Sequence, residues 1–173
     1  MNIAMPRSIV WNGREIVSGI FKQPVIGQVS VRKLGFDGDG QADLTVHGGV
    51  QKAVYVYPSE HYDYWKRELQ RDLPWGMFGE NLTTAGLLEE SVRIGDQFKI
   101  GTAEVVVTQP RFPCYKLGIK FGNMDIVQRF LGSGKSGFYL AVLREGEVAA
   151  GAPITLINSS RNNTIADVFR SEG

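Results

Sequence analysis

Residues 91–110, "SVRIGDQFKIGTAEVVVTQP", decide the fold class. Three short runs, "SVRI", "QFKI" and "AEVVVT", are rich in β-branched and aromatic side chains, and Gly95-Asp96, Gly101 and Pro110 interrupt or close them. Runs of this kind between turn residues predict strands joined by tight turns, one of them at Gly95-Asp96. Working outward, "QVSVRKL" (28–34), "AVYVYP" (53–58), "FYLAVL" (138–143) and "APITLI" (152–157) repeat the pattern, and Glu145-Gly146 marks a further turn. The 21 glycines and 7 prolines are spread along the chain instead of gathered in a linker, so the elements are short and no internal boundary stands out. This is the pattern of a β-barrel or a sandwich.

Two segments read as helices instead. "SEHYDYWKREL" (59–69) has Ser59 as an N-cap after Pro58, with Tyr62, Trp65 and Leu69 at helical spacing. "NMDIVQRFL" (123–131) places Met124, Val127 and Leu131 on one stripe behind Asn123. Both stripes are expected to pack into the core.

At 173 residues the chain fits one domain. Apolar residues make up 43% and charged residues 21%, the usage of a soluble globular protein. No apolar run approaches the roughly 18 residues of a transmembrane helix, and "MNIAMPRSIVWNG" lacks the basic-then-apolar pattern of a signal peptide, so the expected location is the cytoplasm. A net charge of +1 does not supply the positive balance that binding to a nucleic-acid polymer needs, although a local anion site is compatible with it. With 1 cysteine no intrachain disulfide forms, and with 2 histidines beside it a structural zinc site is not expected.

Some motif fragments fail on inspection. "GFDGDG" has glycines at 35, 38 and 40, which is not GxGxxG, and reads as a turn; "GSGKSG" would need a glycine at 129 to be a phosphate loop and has Arg129. Pairing Cys114 with His47 or His61 would suggest a thiol hydrolase, but no cysteine-protease signature surrounds Cys114.

Three patches carry more functional groups than turns require. "GQADLTVHGGVQKAV" (40–54) offers His47 and Lys52, and "FGENLTT" (78–84) offers Asn81, with Glu80 read as satisfying backbone groups in a bend. "TQPRFPCYKLG" (108–118) holds Cys114 between Pro110 and Pro113 on one side and Lys116 on the other, with Arg111 close by. A thiol becomes a metal ligand or nucleophile as its thiolate, and neighbouring cations favour that form. The prolines restrict the loop, and soft sulfur suits a transition metal better than magnesium or calcium. The residues alone leave open a buried structural cysteine, the commoner fate of a lone Cys.

The ordered set "GDGQADLTVHGGVQKAVYVYPSEHYDYW", "FGENLTTAGLLEESVRIGDQFKIG", "TQPRFPCYKLG" and "SGFYLAVLREGEVAAG" resembles the MOSC domain family, named for the C-terminal domain of molybdenum cofactor sulfurases. The likeness is nearest to its stand-alone bacterial members, associated with resistance to hydroxylaminopurine. The resemblance implies a mainly β fold, a closed antiparallel-rich barrel over residues 1–157 with a few short peripheral helices. It implies molybdenum cofactor (molybdopterin), with Cys114 as the sulfur that meets molybdenum or carries transferable sulfur. His47, Lys52, Asn81, Arg111 and Lys116, which lie in the matching motifs, become the expected cofactor-binding residues. The implied activity is reduction of small N-hydroxylated compounds such as hydroxylaminopurine bases, with electrons from a separate flavoprotein. The alternatives are sulfur transfer through a Cys114 persulfide, and a non-catalytic cofactor carrier. Larger stand-alone members continue into a small helical domain, so residues 158–173, with Ile165, Val168 and Phe169 at helical spacing, read as a tail that begins such an extension. The competing reading is a frayed end.

Overall fold

The computed structural model describes residues 1–40 and 48–173. In the first part of the chain lie β1 (Asn2–Ile3), β2 (Arg7–Trp11), β3 (Arg14–Ser18), β4 (Gln23–Pro24), β5 (Gln28–Arg32) and β6 (Gly35–Phe36). The second part supplies β7 (Val54–Pro58), β8 (Leu82–Thr84), β9 (Gln97–Ile100), β10 (Ala103–Pro110), β11 (Phe138–Arg144), β12 (Gly146–Ala149) and β13 (Ile154–Asn158). Among the described residues four α-helices accompany them: α1 (Glu60–Leu69), α2 (Tyr115–Phe121), α3 (Asp125–Ser133) and α4 (Ile165–Glu172).

The opening stretch builds the centre of a six-stranded sheet in the order β13-β9-β10-β11-β7-β8, antiparallel except for the parallel pair β7-β8. Register is fixed along β10 by pairs such as Val105↔Phe98 on one side and Val107↔Leu140 on the other. A second sheet, β12-β5-β6, packs its Val31, Phe36 and Val148 against Val54, Phe98, Ile100 and Val105 of the first. The fold is thus mainly β with a few short helices, as expected. Its barrel is a curled six-stranded half completed by packing of the smaller sheet, not one hydrogen-bonded ring, among the described residues. The turn expected at Glu145-Gly146 is not formed: β11 runs into β12 through the single residue Glu145, and the chain passes from one sheet to the other.

β7 is buried along its whole length and separates two cores. Its Val54 and Val56 point into the barrel, while Tyr55 and Tyr57 point into an aromatic layer with Tyr62, Trp65, Phe78, Phe121 and Phe130. Alternation of side chains across a strand makes this division possible. Helices α1, α2 and α3 cover the aromatic layer, and the indole N–H of Trp65 donates to the Tyr57 hydroxyl at 2.7 Å.

Helix α1 forms where expected and buries Tyr62 and Trp65. Helix α3 is displaced: it begins at Asp125, and Ile126 and Phe130 are its buried residues, while Met124 is 41% exposed. The expected stripe of Met124, Val127 and Leu131 is therefore rotated about the helix axis, because two buried anchors four residues apart outweigh three smaller contacts at the margin. "SVRI" is not a strand either. It makes a single bridge, Arg93↔Thr164, and the Val92 carbonyl accepts from the Ile165 amide at 2.9 Å, so its partner is the far end of the chain. The turn at Gly95-Asp96 is present, with an Asp96 carboxylate oxygen accepting from the Arg93 amide at 2.8 Å.

Residues 165–172 form α4 with a full capping box between Thr164 and Asp167, and bury Ile165, Ala166 and Phe169. This end of the chain is folded and not frayed.

Candidate functional site

β10 ends at Pro110, which lies opposite Phe138 and cannot donate to a ladder. The Arg111 amide still reaches the Gly137 carbonyl at 3.3 Å, after which Phe112, Pro113 and Cys114 lead into α2. Cys114 occupies the N-cap position of α2 with extended backbone (φ −126, ψ 174) and is half-buried. Leu117 and Phe121 bury the opposite face of α2 in the aromatic layer, so the helix is held down and its first turn faces the end of the barrel.

There a cavity of about 110 Å³ opens, and Cys114, Arg111, Lys116, Lys52 and Asn81 all line it although they come from three separate stretches of chain. His47 lies outside the described residues. His61 lies elsewhere, buried against Glu89 at 2.8 Å, and does not line this cavity. The histidine-cysteine pairing considered for it is absent among the described residues.

Arg111 is the distinctive group. It is 6% exposed, and its Nη1 is buried with no hydrogen-bond partner among the described residues. Its guanidinium carbon stands 5.2 Å from the Tyr55 ring centre and 5.0 Å from that of Phe130, so aromatic faces flank it. Burial opposes its charge, and the polar groups of Tyr55, Tyr139 and Cys114 more than offset this. Lys52 lies 6.0 Å above the ring of Tyr139. Burial holds the Tyr139 hydroxyl protonated, with Arg111 acting the other way.

Asn81 reaches the cavity, but its amide is engaged. It donates to the Asn2 carbonyl at 3.3 Å and to Asp39 at 2.9 Å, and its oxygen accepts from the Tyr55 amide at 3.0 Å. Glu80 beside it is fully buried and accepts from the Gly76 and Phe78 amides and from the hydroxyls of Thr83 and Tyr62, the bend-satisfying role expected.

Sequence reasoning missed Lys22 and Asp39, which line the same cavity and form an ion pair at 2.5 Å with side chains 9% and 4% exposed. Burial lowers the Lys22 pKa and Asp39 opposes the shift. The available signal was Lys22 inside the apolar run "GIFKQPV" and Asp39 inside the "GFDGDG" turn. Lys22, Lys52, Arg111 and Lys116 line the cavity together with Asp39, which is bonded to Lys22 and Asn81. The cavity thus gathers several cationic side chains, with a sulfur among its lining residues. Among the described residues no three His, Cys, Asp or Glu side chains gather as a metal set.

The MOSC domain matches residues 43–155. The chain belongs to the MOSC domain family. It is 48% identical over 158 residues to YflK of Bacillus subtilis (strain 168), covering 91% of this chain and 72% of that protein. It is 37% identical over 149 residues to a protein named reductase from Gibberella moniliformis (strain M3125 / FGSC 7600), covering 84% of this chain and 26% of that one. The crystal structure of YiiM from Geobacillus stearothermophilus superposes with a TM-score of 0.82 at 39% identity, covering 98% of this chain and 79% of that chain. MOSC domains are associated as a family with molybdenum cofactor, and the charge of this MOSC cavity suits the anionic phosphate of such a group. No helix among the described residues is long and apolar enough to cross a membrane.

Proposed function

We propose that this MOSC domain binds molybdenum cofactor in the Cys114 cavity and reduces N-hydroxylated compounds such as hydroxylaminopurine bases, with electrons from a separate flavoprotein. The observation that carries the reading is the Arg111 guanidinium, 6% exposed and lining the cavity, with Nη1 unpartnered among the described residues. A buried N–H donor without an acceptor is costly, and an anion bound in the cavity would supply that acceptor. Arg111, Lys52 and Lys116 would hold the phosphate, and Cys114 would give its sulfur to the metal. When bound, the cofactor supplies a metal that exchanges two electrons with substrate. The net conversion takes an R–NHOH group, two electrons and two protons to R–NH2 and water. Around it, the Lys22–Asp39–Asn81 network fixes one wall, and the Tyr139 hydroxyl, kept protonated by burial, remains a hydrogen-bond donor at neutral pH. The reductase name of the Gibberella moniliformis relative agrees with this chemistry, on a protein of which the match covers 26%.

The test is molybdenum analysis of protein purified from a cofactor-producing host, then assay of hydroxylaminopurine reduction with an added flavoprotein reductase. Molybdenum with turnover is expected. A persulfide on Cys114 without molybdenum would instead establish a sulfur carrier, and cofactor without turnover a carrier module.

A further inference from the structure

We infer that Phe169 of α4 is a positioning residue for Cys114, acting through the ring of Phe112. The loop from Arg111 to Cys114 is poorly tied by its own backbone: Pro113 has no N–H, and the amides of Phe112 and Cys114 have no hydrogen-bond partner among the described residues. Prolines stiffen such a loop but give it no anchor. The anchor is a ring stack. Phe112 lies against Phe169 with centroids 4.9 Å apart and planes 18° from parallel, and its other side lines the Cys114 cavity. Phe169 is 4% exposed whereas Phe112 is 38% exposed, so the loop ring leans on a ring that is fixed.

What fixes Phe169 is independent of the loop. The first turn of α4 is bonded to the segment before β9, with the Ile165 amide donating to the Val92 carbonyl at 2.9 Å and the Ala166 amide to the Glu89 carbonyl at 3.0 Å. The capping box closes the same turn. Helix α4 is therefore a prop set on the barrel wall, and Phe169 carries its support across to the thiol loop. The inference does not depend on which group Cys114 holds.

The chain has 1 cysteine, so alkylation by iodoacetamide followed by mass spectrometry reads this thiol alone. In the full chain, Phe169→Leu keeps an apolar group but loses the stack, and Phe112→Ala removes the ring from the loop side. Both are expected to raise amide exchange over residues 112–117 and alkylation of Cys114 roughly tenfold, the scale of losing one aromatic pair. Phe169→Tyr keeps the stacking ring and is expected to restore both rates. Val148→Ala, in the smaller sheet, lowers stability without touching the loop and should leave both unchanged. Folded Phe169→Leu and Phe112→Ala proteins with wild-type rates would overturn the inference, as would an equal rise in Val148→Ala. Should Phe169→Leu not fold, Phe112→Ala carries the test from the exposed side of the stack.

Discussion

Arg111 tests the proposed anion end of the cavity. Arg111→Met removes the buried charge and keeps much of the aliphatic length, while giving up the contacts with Tyr55 and Phe130. Its denaturation midpoint should fall modestly, by about 1–2 kcal/mol in stability as the cation–π contacts are lost, and molybdenum content should fall. Cys114→Ser tests the metal end of the cavity. Because Cys114 is half-buried, stability should stay within about 1 kcal/mol of wild type. Molybdenum retention should drop at least roughly tenfold, measured on the same preparations. Lys120 offers a pH test. Its ammonium donates to the Ile20 carbonyl at 2.7 Å and to the Gly76 carbonyl, and burial, reinforced by Lys22, Arg111 and Arg7 against Glu80, lowers its pKa to about 8. Between pH 8 and the ordinary lysine pKa of 10.5 the unfolded chain holds this proton and the folded chain does not, so stability gains with rising pH. The stability of wild type relative to Lys120→Met, by urea titration, should therefore rise from pH 8 toward pH 10. Cys114 was legible because proline and basic neighbours mark it locally. Lys22 and Asp39 were not, since each looks like an ordinary loop residue until the fold brings them together.

At the scale of elements, local pattern was a good guide where a strand or helix draws on its own neighbours. β10 and α1 follow their apolar spacing, and the loop carrying Cys114 follows its prolines. "SVRI" failed because its partner is more than sixty residues away in "NTIA", and α3 failed because a short window permits two stripes and only packing against Trp65 and Tyr57 selects one. Helix α2 went unread inside a motif taken for a loop. The Asn12-Gly13 turn between β2 and β3, with both residues at positive φ, had a sequence signal that was passed over. Two substitutions test these elements. Thr164→Ala breaks the capping box of α4 and should cost about 1 kcal/mol in thermal unfolding. Gly137 joins α3 to β11 with φ +62, and a Cβ there would lie 2.3 Å from the Val56 carbonyl. Gly137→Ala should lose roughly 1–2 kcal/mol from the backbone conformation alone. The clash with β7 adds to that, and the measured midpoint should fall accordingly.

Across the whole molecule, cohesion is uneven. β10 and β11 are paired on both edges and buried, whereas the β2-β3 hairpin, among the described residues, pairs only with itself and exposes Val10 and Val17. Hydrogen-exchange mass spectrometry should find the slowest amides in β10, β11 and β7 and faster exchange over residues 7–18. Uniform protection across the two regions would contradict that order. The barrel class was legible from the strand pattern and from the four family motifs; the split into two sheets was not, because closure depends on where curvature ends a ladder. β7, the wall between the two cores, imposes a constraint of another kind. Adding or removing one residue within 54–58 would turn tyrosines toward the barrel interior and valines toward Trp65 and Phe78, exchanging every side chain between compartments of different volume. A library of single-residue insertions and deletions should therefore tolerate length changes at the Asn12-Gly13 hairpin tip and be empty across this strand. Substitution alone, without change of length, is the only route by which this strand can diverge.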